Sequence, residues 1–567
     1  MFRRASPSGS FSVRTRAAYL DRFSRETFDL AVVGGGITGA GIARDAAMRG
    51  LSVALVEKDD FGQGTSSRSS RMIHGGLRYL RHGQLRLVRE ALREREVLLK
   101  IAPHLAYPFP FLLPVYEGSK DSRLKLKVGL TGYDLLAGSR LLKRHTMLSR
   151  KKLLEIEPTV RREGLRGGFR YYDCLVNDAR LTLATVLSAA RQGAITVSYV
   201  EAIELERDDG RVAGIRFRDC LNGQTGVLRA RVVVNAAGPW VDRVRAMGGA
   251  APILRPTKGI HLVVPRSRLP LSSVVVMTAQ DGRMLFAVPQ GDCTYVGTTD
   301  TDYRDDPDAV RTDASDVEYL LDAANAAFEG ANLEAADVIS TWAGVRPLVA
   351  EEGAPAPSDV SRDYEVRMEP EGLVSIAGGK LTTYRAMAED LVDRIVAREG
   401  KRFGWSPGPC RTGETPLVGG ELEGFEQYCE ATAQALETSW GLSPAISQRL
   451  LRTYGTEHVR VLGYALRDRG LLRPLASGCP VLRAEALHAA EEEMTLTLED
   501  FMARRTELML FDGNRSLDAA GEAARLMGKV LGWGRRERRE QVRRYGKAVA
   551  RMTTFVTEEE APASEGA

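Results

Sequence analysis

Apolar residues follow three different rhythms along this chain. In "FDLAVVGGGITGAGIARDAAMRGLSVALVEKDD" an unbroken apolar run predicts a strand buried on both faces, Asp29 to Val33. A glycine turn, a helix to about Arg49 and a second strand from Ser52 to Val56 follow, which makes a βαβ unit. From Leu85, "LRLVREALREREVLLKIAPHL" repeats at helical spacing until Pro103 breaks it, and "YPFPFLLPVYEG" reads as a rigid extended connection. "LKLKVGLTGYDLLAGSRLLKRH" is basic and apolar together, a surface helix whose outer face meets either solvent or a membrane. "ITVSYVEAIELERDDGRVAGIRFRDCLNGQTGVLRARVVVNAAGPWVD" alternates with period two. Its turns at Asp209-Gly210 and Asn222-Gly223 predict three antiparallel strands returning the chain to a parallel sheet at Val232 to Val234. "KGIHLVVP", "SVVVMTAQ", "RMLFAVPQ" and "CTYVGTTDTDY" predict a second antiparallel sheet.

These rhythms divide the chain into a basic arm (1–26), an α/β unit (27–400), a Pro- and Gly-rich linker (401–417), a charged helical domain (418–554) and an acidic tail (555–567) predicted to be disordered. Within 27–400, nucleotide-binding segments (about 27–102, 160–244 and 340–400) interleave with substrate-sheet segments (about 103–159 and 245–339).

Composition narrows the function. With 567 residues, 44% hydrophobic and 27% charged, the chain has ample material for a core. Lysine and arginine exceed acids by only 79 to 74, too small a surplus to indicate a nucleic-acid partner. Six scattered cysteines form no C-x-x-C pair, which points to a reducing compartment and away from zinc or iron–sulfur chemistry, and no metal site is expected. No apolar run approaches the roughly 18 residues of a membrane span, so any membrane contact is peripheral. The Arg- and Ser-rich first 20 residues resemble a transit peptide superficially and read better as a flexible basic arm.

The chemistry concentrates in two glycine clusters. Gly34, Gly36 and Gly39 supply G-x-G-x-x-G spacing, and Glu57 follows the second strand where a carboxylate bonds a ribose hydroxyl. NAD and FAD both satisfy that pattern. The next segment, "FGQGTSSRSSRMIHGGLRYL", is no nicotinamide-type helix: its hydroxyls (Thr65, Ser66, Ser67, Ser70) and Gly75-Gly76 suit a loop along an extended polar cofactor, in company with His74, Arg78 and Tyr79. Ala236-Ala237-Gly238 ends a parallel strand, where ligands of such sheets collect. The second cluster, "SIAGGKLTTYRAMAED", sets Gly378-Gly379 and Lys380 at the start of a helix.

Taken together, "DLAVVGGGITGAGIARDAAMRG", "TSSRSSRMIHGGLRYL", "GYDLLAGS", "VNAAGPWVD", "KGIHLVV", "VGTTDTDY", "AGVRPL", "GGKLTTYR", "CRTGETPL" and "DFMARRTELML" resemble the FAD-dependent, quinone-reducing glycerol-3-phosphate dehydrogenases of the D-amino-acid-oxidase-like superfamily. The match covers most of the chain. Lacking the cysteine cluster of the anaerobic relatives and the calcium loop of the mitochondrial ones, the sequence is most similar to the aerobic bacterial type.

The resemblance implies a Rossmann-like FAD-binding domain interleaved with an antiparallel-sheet substrate domain, plus a C-terminal helical domain. It implies noncovalent FAD, oxidation of sn-glycerol 3-phosphate to dihydroxyacetone phosphate, and electrons passed to a membrane quinone by a cytoplasmic enzyme attached peripherally to the inner membrane face. A homodimer is left open. Glycerophosphate oxidase chemistry with oxygen, and amine or amino-acid oxidation, remain the competing activities. Further cofactor contacts are expected at Val200, Gly238, Gly344 and Gly379, with the amides of Lys380, Leu381 and Thr382 facing the flavin ring. Arg346, Arg78, Lys380 and Arg385 are expected to hold the phosphate with Tyr79 beside them. His261 is expected to act as base, against the alternative of a packed histidine, with Arg346 and Lys380 completing the catalytic set.

Overall fold

The structure is a computed structural model that describes residues 11–76, 84–119, 122–350 and 363–555. Arg78 and Tyr79 and the acidic tail beyond Phe555 lie outside the described residues. Thr27–Val33 and Val53–Glu57 pair in parallel, joined by the helix Ile37–Met48. Thr225–Asn235 lies parallel on the other side of the first strand, and Leu373–Gly378 parallel beyond it. Leu30, Ala31 and Val32 are fully buried because both faces are covered, one by the helices Ile37–Met48 and Tyr384–Phe403 and the other by the strands Val200–Asp208 and Arg211–Asp219 with the helix Arg16–Arg25, hence the unbroken apolar run. Ahead of the hairpins, Ile195–Ser198 joins this sheet in parallel beside Val53–Glu57. The three expected antiparallel strands are Val200–Asp208, Arg211–Asp219 and the first half of Thr225–Asn235, whose second half then runs parallel in the sheet; Tyr199 at φ 59° precedes them. All four residues of Ile195–Ser198 are buried, the pattern of a doubly covered strand.

The second sheet has ten strands among the described residues; it contains the four predicted ones, and among the others is one that the sequence presents differently. Ala106–Tyr116, read from sequence as an extended connection, is a central strand between Leu165–Val176 and Val274–Thr278. Pro108, Pro110 and Pro114 all occupy even positions, so their missing donors fall on one edge. Pairing with Val274–Thr278 is confined to Phe111 and Leu112, whereas the ladder to Leu165–Val176 runs from Ala106 to Tyr116.

The expected flexible basic arm is docked where it is described. Phe11 packs on Phe61 with ring centroids 5.8 Å apart, and Phe23, on the helix Arg16–Arg25, is fully buried against Phe28 and Phe217. Arg16 spans Asp219, at 2.8 Å, and the carbonyls of Ser198 and Tyr199. Its charge therefore serves the fold. The linker is held as well: Arg44 donates to the Thr412 and Thr415 carbonyls, and the Leu417 amide donates to the Ile101 carbonyl.

The C-terminal helices surround their own apolar cluster and meet the nucleotide sheet through buried charges. Asp60, three residues beyond Glu57, accepts from Arg504 Nε at 2.6 Å and from both Arg505 terminal nitrogens at 2.7 Å. Burial pushes the Asp60 carboxyl up, but the two guanidinium groups outweigh it and hold it below the usual carboxylate range. Asp500, also paired to Arg504, is pushed up to about 6 by burial and by the Asp60 charge. Asp60→Asn leaves two buried cations under-compensated and is expected to cost about 3–5 kcal/mol. Calorimetry should then show the C-terminal helices melting ahead of the sheets; an unchanged single transition would assign the joint to apolar packing instead.

Candidate active site

The first glycine turn is built by close backbone approach. Gly34 has φ 111°, and a Cβ there would lie 2.5 Å from the Ala236 carbonyl oxygen. A Cβ on Gly39 would lie 1.9 Å from the Gly34 carbonyl oxygen. Strand, turn and helix are thereby drawn together into a bare backbone cradle that fits a pyrophosphate. Glu57 accepts from the Gly35 amide at 2.7 Å and the Asp59 amide at 2.9 Å. Burial nevertheless pushes its carboxyl up to about 7.

One cleft runs from this cradle to the second glycine cluster. Gly34, Gly36, Glu57, Thr65, Ser66, Val200, Gly238, Gly379, Lys380 and Leu381 all line it. These residues come from segments expected to hold an extended dinucleotide, and the donor set fits one: amides at a helix start, a carboxylate for a ribose, and hydroxyls between. At the far end, Gly378 and Gly379 adopt φ 79° and 82°, turning the chain into a 3-10 segment, Leu381–Thr383, that precedes the helix Tyr384–Phe403. The helix proper thus starts one turn later than the sequence suggests. Ser67 lies in the turn Thr65–Ser67, and Gly76 adopts φ 77° at the end of its described segment.

The substrate sheet abuts this end. Leu254–Pro265 and Ser340–Val349 are antiparallel, with His261 opposite Trp342, Gly259 opposite Gly344 and Thr257 opposite Arg346. Alternation puts His261 and Arg346 on one face. His261 stacks on Trp342 at 4.7 Å, and its other neighbour is Gly297, where a Cβ would sit 2.1 Å from the ring. Ser70 Oγ lies 2.9 Å from His261 Nε2, while Nδ1 has no hydrogen-bond partner among the described residues. The ring is 2% exposed; burial, with Arg346 and Arg71 adding, holds its pKa well below the ordinary histidine value. Arg346 donates to Asp300 at 3.0 Å, to the Thr298 hydroxyl at 2.9 Å and to the Thr299 carbonyl at 3.1 Å. Pro347, its neighbour in sequence, lines the cleft beside Gly378 to Leu381.

Several expected site residues are placed otherwise. Arg385 grips Glu94 with two nitrogens, at 2.7 and 2.6 Å, and Glu389 with a third, at 2.8 Å. It is 3% exposed, so its charge is already neutralised and it joins two helices rather than facing substrate. The Gly75 amide donates to the Tyr133 hydroxyl at 2.9 Å, and the residue packs where a Cβ would strike that ring, so it does not line the cleft. Gly344 makes room for Arg68, and Thr382 is buried, with its hydroxyl accepting from the His74 amide. Ser70 spends its hydroxyl on His261.

The sequence reading missed two groups. Lys58 lies 4.3 Å over the Trp240 ring, and both line the cleft; Trp240 was visible only as part of "AAGPWVD". Arg68 donates to the Ala343 carbonyl at 3.3 Å, and Thr65 Oγ1 to the Val345 carbonyl at 2.5 Å, so the polar loop ties the two sheets together. Nothing local in "TSSRSSR" identifies which arginine does this.

Comparison with known proteins agrees with this geometry. Residues 29–394 match the model of the FAD dependent oxidoreductase family, and residues 410–538 match the C-terminal domain of alpha-glycerophosphate oxidase. The chain is 41% identical to the aerobic glycerol-3-phosphate dehydrogenase of Bacillus subtilis, covering 89% of this chain and 91% of that one. It is 37% identical to that of Staphylococcus haemolyticus, covering 96% and 98%. The crystal structure of the glycerol-3-phosphate dehydrogenase from Bacillus halodurans complexed with FAD superposes with a TM-score of 0.81 at 33% identity, over 96% of this chain and 99% of that one. A cradle fitted to a dinucleotide, a substrate sheet against it and these relatives across nearly the whole length agree: the chain belongs to the FAD-dependent oxidoreductases, among the aerobic glycerol-3-phosphate dehydrogenases.

Proposed function

We propose that this chain oxidises the C2 alcohol of sn-glycerol 3-phosphate to the ketone of dihydroxyacetone phosphate and passes the two electrons to a membrane quinone at the inner face of the cytoplasmic membrane. When bound, FAD supplies the two-electron acceptor for the oxidation. The observation that carries the reading is a guanidinium fork and a neutral imidazole on one sheet face, with the Lys380 turn at the adjoining end of the cleft. That set suits a phosphorylated alcohol.

Arg346 and Lys380 hold the phosphate dianion; the planar fork offers bidentate bonds and the ammonium a point charge. Asp300 and Thr298 fix the plane of the fork before substrate arrives. His261 takes the proton of the C2 hydroxyl. Burial alone makes it a weak base, yet neutral and ready. A dianion paired to Arg346 cancels part of the positive field on the ring, so substrate binding itself raises its basicity. Ser70 keeps the ring oriented from Nε2.

The deciding experiment is anaerobic mixing of the holoenzyme with glycerol 3-phosphate and, separately, with glycine. Bleaching of the yellow colour by the first alone is expected, and bleaching by glycine alone overturns the reading. Reoxidation by a quinone faster than by oxygen is expected next; the reverse order makes the chain an oxidase.

Replacing His261 with Asn is expected to lower kcat about 10²–10⁴-fold with the flavin spectrum intact. Because the imidazole of the free enzyme stays neutral below the ordinary value near 6.5, His261 should contribute no acid limb to wild-type kcat/KM between about pH 6 and 7.5. The same depression makes protonation favour unfolding as pH falls below about 6.5, so the variant should lose less thermal stability than wild type between about pH 7 and 5. Lys380→Ala should raise KM for glycerol 3-phosphate about 10- to 100-fold, in line with the 1.5–3 kcal/mol of a charged hydrogen bond. Arg385→Lys should lower the melting temperature and leave KM unchanged, which steady-state kinetics beside calorimetry will read out.

A further inference from the structure

The helix Arg123–Ala137 buries one face and leaves the other bare. Leu130, Tyr133 and Ala137 are buried, the last two packed with Val88 and Leu92 of the helix Leu85–Ile101 and Leu130 against the substrate sheet. Opposite them, Leu124, Val128 and Leu135 are 72%, 66% and 76% exposed. Leu135 and Leu124 are the most exposed large apolar side chains among the described residues. At 3.6 residues per turn the three project within about 40° of one another, so they form a stripe rather than scattered exposures. Lys127 and Lys125 fall about 60° and 100° from Leu124, one on each side.

The charge around the stripe has one sign. From Arg123 to Lys151 the chain carries eight lysines and arginines against one acid, Asp134. That acid is taken by His145, whose Nδ1 lies 2.7 Å from its carboxylate. An apolar stripe flanked by lysines, with no unpaired carboxylate between residues 123 and 151, is complementary to an anionic lipid surface: the leucines enter the acyl boundary and the lysines reach back to the headgroups. The back of the same helix is tied to the body of the protein: the Tyr133 hydroxyl accepts from the Gly75 amide and donates to Asp173.

We infer that the face of Leu124, Val128 and Leu135 docks this protein on the surface of an anionic bilayer. The inference rests on the lipid-soluble acceptor proposed above and says where that acceptor's membrane is met.

The test is flotation of the intact holoenzyme with vesicles of phosphatidylcholine alone and of phosphatidylcholine mixed with phosphatidylglycerol, at low and high salt, with no turnover required. The protein is expected to float with the mixed vesicles and to be released by salt. Combined Leu124→Ser, Val128→Ser and Leu135→Ser is expected to lower the partition constant about tenfold or more, with melting temperature and flavin spectrum unchanged. Lys125→Glu with Lys127→Glu should weaken binding to the mixed vesicles only. Wild type that floats with neither vesicle, or a triple variant that floats as well as wild type, overturns the inference. So does a wild-type dimer that the triple variant turns into a monomer without any change in flotation, since a second copy would then cover the stripe. Reoxidation of the reduced holoenzyme by a short-chain, water-soluble quinone tests the acceptor by itself, so failure there is distinguishable from failure of docking.

Discussion

The molecule depends on how closely three parallel strands approach at their carboxyl ends. Thr27–Val33, Thr225–Asn235 and Leu373–Gly378 stop side by side, and the turns leaving the first two touch so nearly that Gly34 has no room for a side chain beside Ala236. That contact exposes backbone amides where a pyrophosphate sits, and it places Gly378-Gly379 at the other end of the same cleft. A larger residue at Gly34 or Gly39 would push strands apart and open the cradle and the substrate end together.

Buried charge is used throughout as a connector. Asp60 with Arg504 and Arg505 joins the C-terminal helices to the nucleotide sheet, Arg16 with Asp219 fastens the first helix, and Arg385 with Glu94 joins two helices behind the site. Each pair is nearly sealed from water, so its attraction is strong and its dissection costly. The same low-dielectric setting keeps His261 neutral, because there the imidazolium has cations for neighbours and no carboxylate. Whether a buried titratable group becomes a connector or a reactive group is decided by what stands opposite it.

The nucleotide half was largely legible because its information is local. Glycine spacing, a doubly buried strand and a carboxylate after the second strand occupy about thirty consecutive residues, and Gly34, Gly36 and Glu57 stand together on the cleft. The substrate half was legible as strands, since alternation and Asp-Gly turns are local too. The proline-rich strand Ala106–Tyr116 was not, because its pairing is tolerated only through the limited register of a neighbour more than 150 residues away. The docked N-terminal helix was missed for a similar reason: its arginines read as a solvated arm until Asp219 is seen beside Arg16.

By itself, the sequence determined that a dinucleotide cradle, an antiparallel substrate sheet and a helical C-terminal region would exist, because periodicity and turn chemistry act over a few residues. Tertiary structure decided which cations remain turned to the cleft. Arg385 and Lys380 sit five positions apart in one motif, yet Glu94, 291 residues from Arg385, claims the first, while the second lines the cleft. Ion pairing depends on distance in space, and only the fold sets that distance.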